Sequence, residues 1–273
     1  MDVKYGDRDH NVGRVIESLH QLAEQGVEIA VFPECCLAGY CVETESELPD
    51  VGIGRDSSHV QKIQTAVDET GVLAVFGFTE VLDGIYFNTA ALLQPGLPGN
   101  FYRKTHLPEL GYDRFVQAGC EFPVFETKFG KVGLLICFDI RFPEATRILA
   151  LRGADALLLP TNWPTEADIS ADLIALARAA ENKIFVITCN RVGVERGFRF
   201  IGKSKLISPM GQVIAAAGDD EETLIADLDF VQSRNKRNVT VPGKHETTIF
   251  DSRRPDLYGP ILSQTEQYET KTQ

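Results

Sequence analysis

Six cysteines stand at positions 35, 36, 41, 120, 137 and 189. A cysteine attacks carbon as the thiolate, so what matters is which of them has neighbours that could make one. Cys137 has the most suggestive surroundings. Val132-Gly-Leu-Leu-Ile136 runs into it, Phe138-Asp139-Ile-Arg141-Phe leads away, and Pro143-Glu144 suits a helix start. A sharp strand-to-helix turn exposes a nucleophile in this way, although an inert buried cysteine ending a strand would read the same. Two other segments place a reactive group near a strand end. Glu34 follows the apolar run of Val31-Phe-Pro33, where open α/β sheets build their sites, unless it is a capping or surface glutamate. Lys104, in Phe101-Tyr-Arg-Lys104-Thr-His106-Leu107, is either a surface cation or a positive neighbour for an anion. Cys137, His106 and Asp139 form a competing nucleophile–base–orienter set. On an extended segment His106 would share a face with Lys104, so spacing does not exclude it.

Weaker candidates line the same rim. Thr161-Asn162-Trp163-Pro164 carries the only tryptophan a few residues beyond a strand, so Trp163 reads equally as pocket wall or core. Tyr40 is a similar case behind Glu34, and Asn162 and Phe138 complete the candidate substrate-binding set. Arg141, Glu144 and Arg178 could bind an acidic substrate. A structural role fits them better, with Glu144 complementing a helix dipole. Zinc finds no support, because there is no Cys-x-x-Cys pair and no histidine at ligand-like spacing from a cysteine.

The elements that must hold these groups alternate. Val12, Val15, Ile16, Leu19, Leu22 and Ala23 fall at helical spacing with Gly26 as a stop, and Glu28–Glu34 reads as a short buried strand. A helix is expected from Ser57 or Ser58 to just before Gly71, then strands near Val72–Val81 and Tyr86–Gln94. Further strands are expected over Lys131–Ile140, Ala154–Leu159 and Ile184–Cys189, with helices over Pro143–Arg152 and along Ile169–Ala180. Lys203–Asp229 reads as a hairpin turning at Pro209-Met-Gly211, followed by a strand near Thr223–Asp227. The pattern predicts one α/β domain over residues 1–273, with an extended tail from about Asn238. It opens almost directly into a helix, since Met1–Tyr5 is too short and polar for a core strand.

Composition excludes other classes. The chain has 273 residues, 44% hydrophobic and 24% charged, as soluble globular proteins do. Its net charge of −12 repels phosphate backbones, which argues against nucleic acid. No apolar run approaches the roughly 18 residues of a membrane span. Met1–Asp7 lacks a signal peptide's apolar stretch, which favours the cytoplasm and free thiols.

Taken together, the segments resemble a known family. Phe32-Pro-Glu34, Tyr102-Arg-Lys104-Thr-His-Leu107 and Cys137-Phe-Asp-Ile-Arg-Phe-Pro-Glu144 are similar to the nitrilase, or carbon–nitrogen hydrolase, superfamily. So are Arg178-Ala-Ala-Glu-Asn182 with Cys189-Asn-Arg-Val-Gly193, and Phe200-Ile-Gly-Lys-Ser204, in the family's order. The resemblance implies a Glu34–Lys104–Cys137 triad of base, oxyanion stabiliser and nucleophile, with the Phe138 N–H as a second oxyanion donor. It implies a second acid after the lysine. Glu109 and Asp113 both compete for that role, and Asp113 is favoured because Glu109 lies too near. It further implies a four-layer α-β-β-α sandwich, here lacking its first strand and so expected to come from a longer natural chain. Subunits would pair as a homodimer or larger assembly, and no metal or organic cofactor would be needed. The expected substrate is a small amide or N-carbamoyl compound, because nitrile-cleaving members tend to carry Trp-Glu where this chain has Phe138-Asp139. A nitrile substrate, or a non-catalytic binding protein on the same fold, are the alternatives.

Overall fold

A computed structural model describes residues 1–263 of the chain. By its internal contacts the chain divides into Met1–Arg234 and Asn235–Gln273. In the first unit, helix α1 (Arg8–Glu24) starts where the Asp7 side chain accepts the His10 N–H, and it buries Val12, Val15 and Leu19. Strand β1 (Ile29–Val31) follows, then the single turn α2 (Leu48–Val51). Helix α3 (Ser58–Thr70) is capped by the Ser57 hydroxyl and ended by Gly71 at φ 74°, a left-handed conformation that glycine adopts without strain. Strands β2 (Leu73–Leu82) and β3 (Ile85–Leu93) form a hairpin about Asp83-Gly84, both at positive φ, and β4 (Asn100–Arg103) returns beside β3. This sheet has the order β1-β2-β3-β4, with β1 parallel to β2 and the other pairs antiparallel.

The second sheet begins with β5 (Val124–Thr127) and β6 (Gly130–Leu134). Helix α4 (Pro143–Leu151), β7 (Ala156–Thr161), helix α5 (Ala175–Asn182) and β8 (Phe185–Asn190) follow. A separate hairpin, β9 (Val192–Glu195) with β10 (Phe198–Ile201), precedes β11 (Lys205–Ile207) and β12 (Val213–Ala216), and the single turn α6 (Val231–Arg234) closes the unit. The sheet order is β12-β11-β8-β7-β6-β5, with β6, β7 and β8 parallel.

The fold is therefore α/β. Helices α1 and α3 pack on each other and share an apolar cluster with Ala30, Ala74 and Phe76 of the first sheet. On the second sheet α5 packs against β8 and β11, and Leu149 of α4 sits over Gly133 of β6, which leaves no room for a Cβ. The sheets meet through β1 and β2 on one side and β7 and β8 on the other. Among the described residues β1 pairs only with β2, as an edge strand. Met1–Tyr5 forms no strand but is tied down: Val3 is buried, its carbonyl accepts the Arg191 guanidinium, and Asn11 brackets the Lys4 backbone. No helix among the described residues is long and apolar enough to cross a membrane.

Four expectations need correction. The strand into Cys137 stops at Leu134, and Cys137–Arg141 is a 3-10 turn. The helix marked by Ile169 opens with a π-turn, Ser170–Ile174, before α5. Thr223–Asp227 makes no ladder and forms no strand. In the second unit an antiparallel hairpin, β13 (Arg237–Val241) with β14 (His245–Thr248), stands where an extended tail was expected. The rest of that tail, from residue 264 on, lies outside the described residues.

Candidate active site

Three strand ends converge on one buried cluster. After β1 the chain passes through Pro33 to Glu34 and turns at Cys35, whose φ is 46°. It runs so close over β2 that a Cβ on Gly77 would lie 2.5 Å from Glu34 Cα. The Cys36 N–H to Gly77 carbonyl bond, 2.9 Å, holds that crossing. Lys104 leaves β4 with its N–H on the Asn88 carbonyl, 2.8 Å, and its own carbonyl accepting the Gly119 N–H, 2.8 Å. Cys137 begins the turn beyond β6 with φ 45°, the left-handed strain of a nucleophile elbow.

Asp139 welds the elbow to the lysine segment. Its carboxylate accepts the Ile136 N–H at 3.0 Å, the Tyr102 hydroxyl at 2.7 Å, the Thr105 hydroxyl at 3.0 Å and the His106 N–H at 3.0 Å. Arg178 caps the other end of the elbow, donating to the carbonyls of Ile140 and Arg141 at 2.9 and 3.2 Å.

Glu34 and Lys104 are fully buried and Asp113 nearly so. The Lys104 Nζ donates to Glu34 Oε1 at 2.8 Å and to Asp113 Oδ2 at 2.5 Å. The Asn88 Nδ2 donates to Glu34 Oε1 and to Asp113 Oδ1, each at 2.8 Å. The Tyr40 hydroxyl adds a third donor to Asp113, 2.7 Å from Oδ2. Asp113 thus has both oxygens engaged, whereas Glu34 Oε2 is buried without a partner among the described residues.

The charges follow from this geometry. Burial pushes the Glu34 carboxyl up, Lys104 pulls it back and Asp113 raises it again, leaving it above the ordinary carboxylate value. Burial pushes the Cys137 thiol well up and the Glu34 charge adds to it, against Lys104 and the Asn162 N–H that favour the thiolate. Burial alone would depress Lys104, but Asp113, Glu34 and Cys137 hold it well above its ordinary value, so it stays an ammonium. At rest Cys137 is therefore a protonated thiol, close to a buried carboxyl with a raised pKa and a fixed positive charge.

The other candidates divide. Asn162 gives its backbone N–H to the Cys137 sulfur, while its own carboxamide is buried and unpartnered. Asn190 fixes that loop, its Oδ1 accepting the Thr161 hydroxyl at 2.6 Å and the Trp163 N–H at 2.7 Å. Phe138 is the second residue of the 3-10 turn, where N–H groups have no partner within the turn, and its ring meets Phe142 edge-on. A cleft of about 260 Å³ is lined by Tyr40, Asn162, Leu110, Phe198 and Phe200 among others. Trp163 is 2% exposed and does not line it. Glu109 is exposed at that cleft, and only Asp113 of the two competing acids touches Lys104. Of the rival set, the His106 Nδ1 lies 2.7 Å from Asp139 and its ring stacks on Phe142 at 3.8 Å. The charges weighing most on Cys137 are those of Glu34, Lys104 and Asp113. Arg141 and Glu144 are exposed. Asn88 was missed, although an asparagine inside the apolar run Tyr86-Phe-Asn88-Thr-Ala was a signal.

A cysteine in a left-handed turn thus stands near a buried acid–lysine–acid cluster at the strand ends. The carbon–nitrogen hydrolase family model matches residues 1–238. The chain is 34% identical to a probable nitrilase of Schizosaccharomyces pombe, covering 96% of each chain. It is 36% identical to a nitrilase of Pyrococcus abyssi, over 92% of this chain and 93% of the other. An (R)-stereoselective amidase of a Pseudomonas species is 33% identical over 85% and 84%. The crystal structure of a carbon–nitrogen hydrolase from Helicobacter pylori superposes with a TM-score of 0.85, at 25% identity and 96% coverage of each chain. The chain belongs to the carbon–nitrogen hydrolase family of the nitrilase superfamily and is a hydrolase of that class.

Proposed function

We propose that the protein hydrolyses the C–N bond of a small amide or N-carbamoyl compound through a thioester on Cys137. One observation carries this reading: Glu34 keeps Oε2 bare, with Lys104 and Asn88 both on Oε1, next to a thiol whose charge it governs. Moving the Cys137 proton to Glu34 Oε2 leaves the cluster's net charge unchanged, whereas a free thiolate would add to it. The proton therefore moves as sulfur attacks the carbonyl carbon. The oxyanion that forms meets the Lys104 ammonium and the Phe138 N–H. As the C–N bond breaks, Glu34 returns the proton to the leaving amine. Water, deprotonated by Glu34, then attacks the thioester carbonyl and releases the acid, and the proton returns to sulfur. Asp113, held by three donors, keeps Lys104 charged and in place. No step calls on a metal or organic cofactor.

The cleft of about 260 Å³ suits a small substrate, with Tyr40 and Asn162 in its wall, while Phe138 and Trp163 do not line it. Assembly as a homodimer or larger rests on the family resemblance alone, and sedimentation at the mass of a single chain sinks it.

Ammonia release from a panel of amides, carbamoyl compounds and nitriles tests the function. Amides or carbamoyl compounds should turn over. Glu34→Gln should lower kcat about 1000-fold or more, as loss of a member of a catalytic unit does, and Cys137→Ala should abolish turnover. Turnover confined to nitriles would replace the substrate class. Undiminished turnover in Glu34→Gln would hand the base role to His106. An inert wild type whose Cys137 resists iodoacetamide would favour a binding protein.

A further inference from the structure

Asn88 lies in the middle of β3 and is fully buried. Its two amide hydrogens go to two different carboxylates, at Glu34 Oε1 and Asp113 Oδ1, each 2.8 Å away. Its Oδ1 accepts the Cys35 thiol at 3.6 Å, and because the thiol is the donor there, the amide is oriented with Nδ2 toward the acids. Its backbone carbonyl takes the Lys104 N–H at 2.8 Å. One residue thus touches the lysine segment, both acids and the turn behind Glu34.

We infer that Asn88 is a positioning residue: it fixes Glu34 Oε1 against the lysine–aspartate pair so that only Oε2 faces the proton in transit from Cys137. The inference deepens the proposed hydrolysis and rests on Glu34 being its base. Without the clamp, Lys104 is the only remaining donor to Glu34 among the described residues, and the carboxylate can rotate its bare oxygen onto the ammonium. That rotation removes the base from the nucleophile with the lysine, the acid and the thiol all still present. Cys35 acts one step further back, since its thiol decides which end of the Asn88 amide meets the acids.

Asn88→Leu tests this, because leucine fills the space without donating. The kcat should fall roughly 100-fold, the penalty of a small misplacement of a reacting group, with KM within a few-fold of wild type. The acid limb of kcat/KM should move to higher pH, because the lost hydrogen bond favours ionised Glu34. A purely structural role would reduce folded enzyme and leave the limb in place, and that result overturns the inference. If Asn88→Leu does not fold, Cys35→Ser and Cys35→Ala take over. The serine retains a donor to Asn88 and should keep the wild-type limb. The alanine should shift it upward, and identical limbs in the pair overturn the inference. Should the wild type cleave nothing in the panel, the functional reading fails on its own. The pH profile of Cys137 alkylation by iodoacetamide then still reads the clamp. A displaced profile in Asn88→Leu supports it, and superimposable profiles refute it.

Discussion

At the scale of single residues, the site separates two acids by how their oxygens are satisfied. Asp113 receives Lys104, Asn88 and Tyr40 and is spent on holding charge, whereas Glu34 receives both of its donors on one oxygen. Burial and Asp113 hold the Glu34 carboxyl above the ordinary range, and the proposed hydrolysis needs it ionised. Activity should therefore rise with pH through that raised value and stay low where a surface glutamate would already be charged. A kcat/KM profile measured from pH 4 to 9 checks this, since its limbs report free-enzyme groups. An acid limb at the ordinary carboxylate position would remove Glu34 from the base role. Glu34 and Cys137 drew notice because each follows a recognisable apolar run, where chemistry concentrates, whereas Lys104 follows Phe101-Tyr-Arg103 and stood apart from a surface cation only through the family resemblance. Asn88 did not, because sequence shows a polar residue in a strand but not which buried carboxylates approach it from two other segments. Of the two acids weighed, Asp113 is the one in contact with Lys104.

At the scale of elements, patterns complete within one segment were readable and those that depend on pairing were not. Helices α1 and α3 carry their own apolar stripe and stop signals, and the β2–β3 hairpin has its Asp83-Gly84 turn. The run from Lys131 to Ile140 looks like one strand, yet ladder pairing ends at Leu134 and the side chain of Asp139 folds back to cap Ile136. Short β4, β5, β9 and β10 exist by virtue of their neighbours and left no pattern of their own. Thr223–Asp227 has strand-like composition and no ladder partner. The strand that delivers Lys104 is anchored one residue earlier. Arg103 pairs with the buried Glu80 of β2, which also takes the guanidinium of Arg55 and the Thr89 hydroxyl. Burial alone would raise the Glu80 carboxyl, but Arg103, Thr89 and Arg55 together hold it below the ordinary range. Its contribution to stability is therefore present above the unfolded carboxylate value and lost as pH falls through the lowered one. Glu80→Gln should destabilise the fold at pH 7 by about 2 kcal/mol, less than the roughly 3–5 of a fully buried pair because both guanidiniums are partly exposed. Urea unfolding at pH 7 and pH 3 would show the wild type losing stability on acidification and the variant losing less. Equal losses would remove Glu80 from the account.

At the scale of the whole molecule, every residue of the proposed mechanism lies between Glu34 and Asn162, inside the unit that ends at Arg234. That boundary coincides with a side-chain clamp. Asp155, at the mouth of β7, accepts the Ser233 hydroxyl at 3.0 Å and the Arg234 guanidinium at 3.1 and 3.2 Å, and it also takes the Lys131 N–H at 3.0 Å. Burial would raise this carboxyl, but Arg234, Lys131 and Ser233 hold it below its ordinary range. Gly130 leaves the space its carboxylate fills, since a Cβ there would meet Asp155 Oδ2 at 2.4 Å. The last turn of the first unit is thus locked to the start of the strand that carries Asn162 toward the nucleophile. A chain ending at Arg234 should fold with one cooperative thermal transition and keep ammonia release at a kcat within a few-fold of the full chain. A chain ending at Asp229 strips Asp155 of two donors and also removes the buried Phe230 ring that packs on Phe185, and should be less stable by more than the roughly 1–3 kcal/mol of an unsatisfied buried polar group. Melting curves and kcat for the two truncations, side by side, separate a self-sufficient unit from one that needs residues 235 onward. If the chain ending at Arg234 melts without cooperativity, the second unit is part of the folding core, and the clamp at Asp155 is not what closes the first.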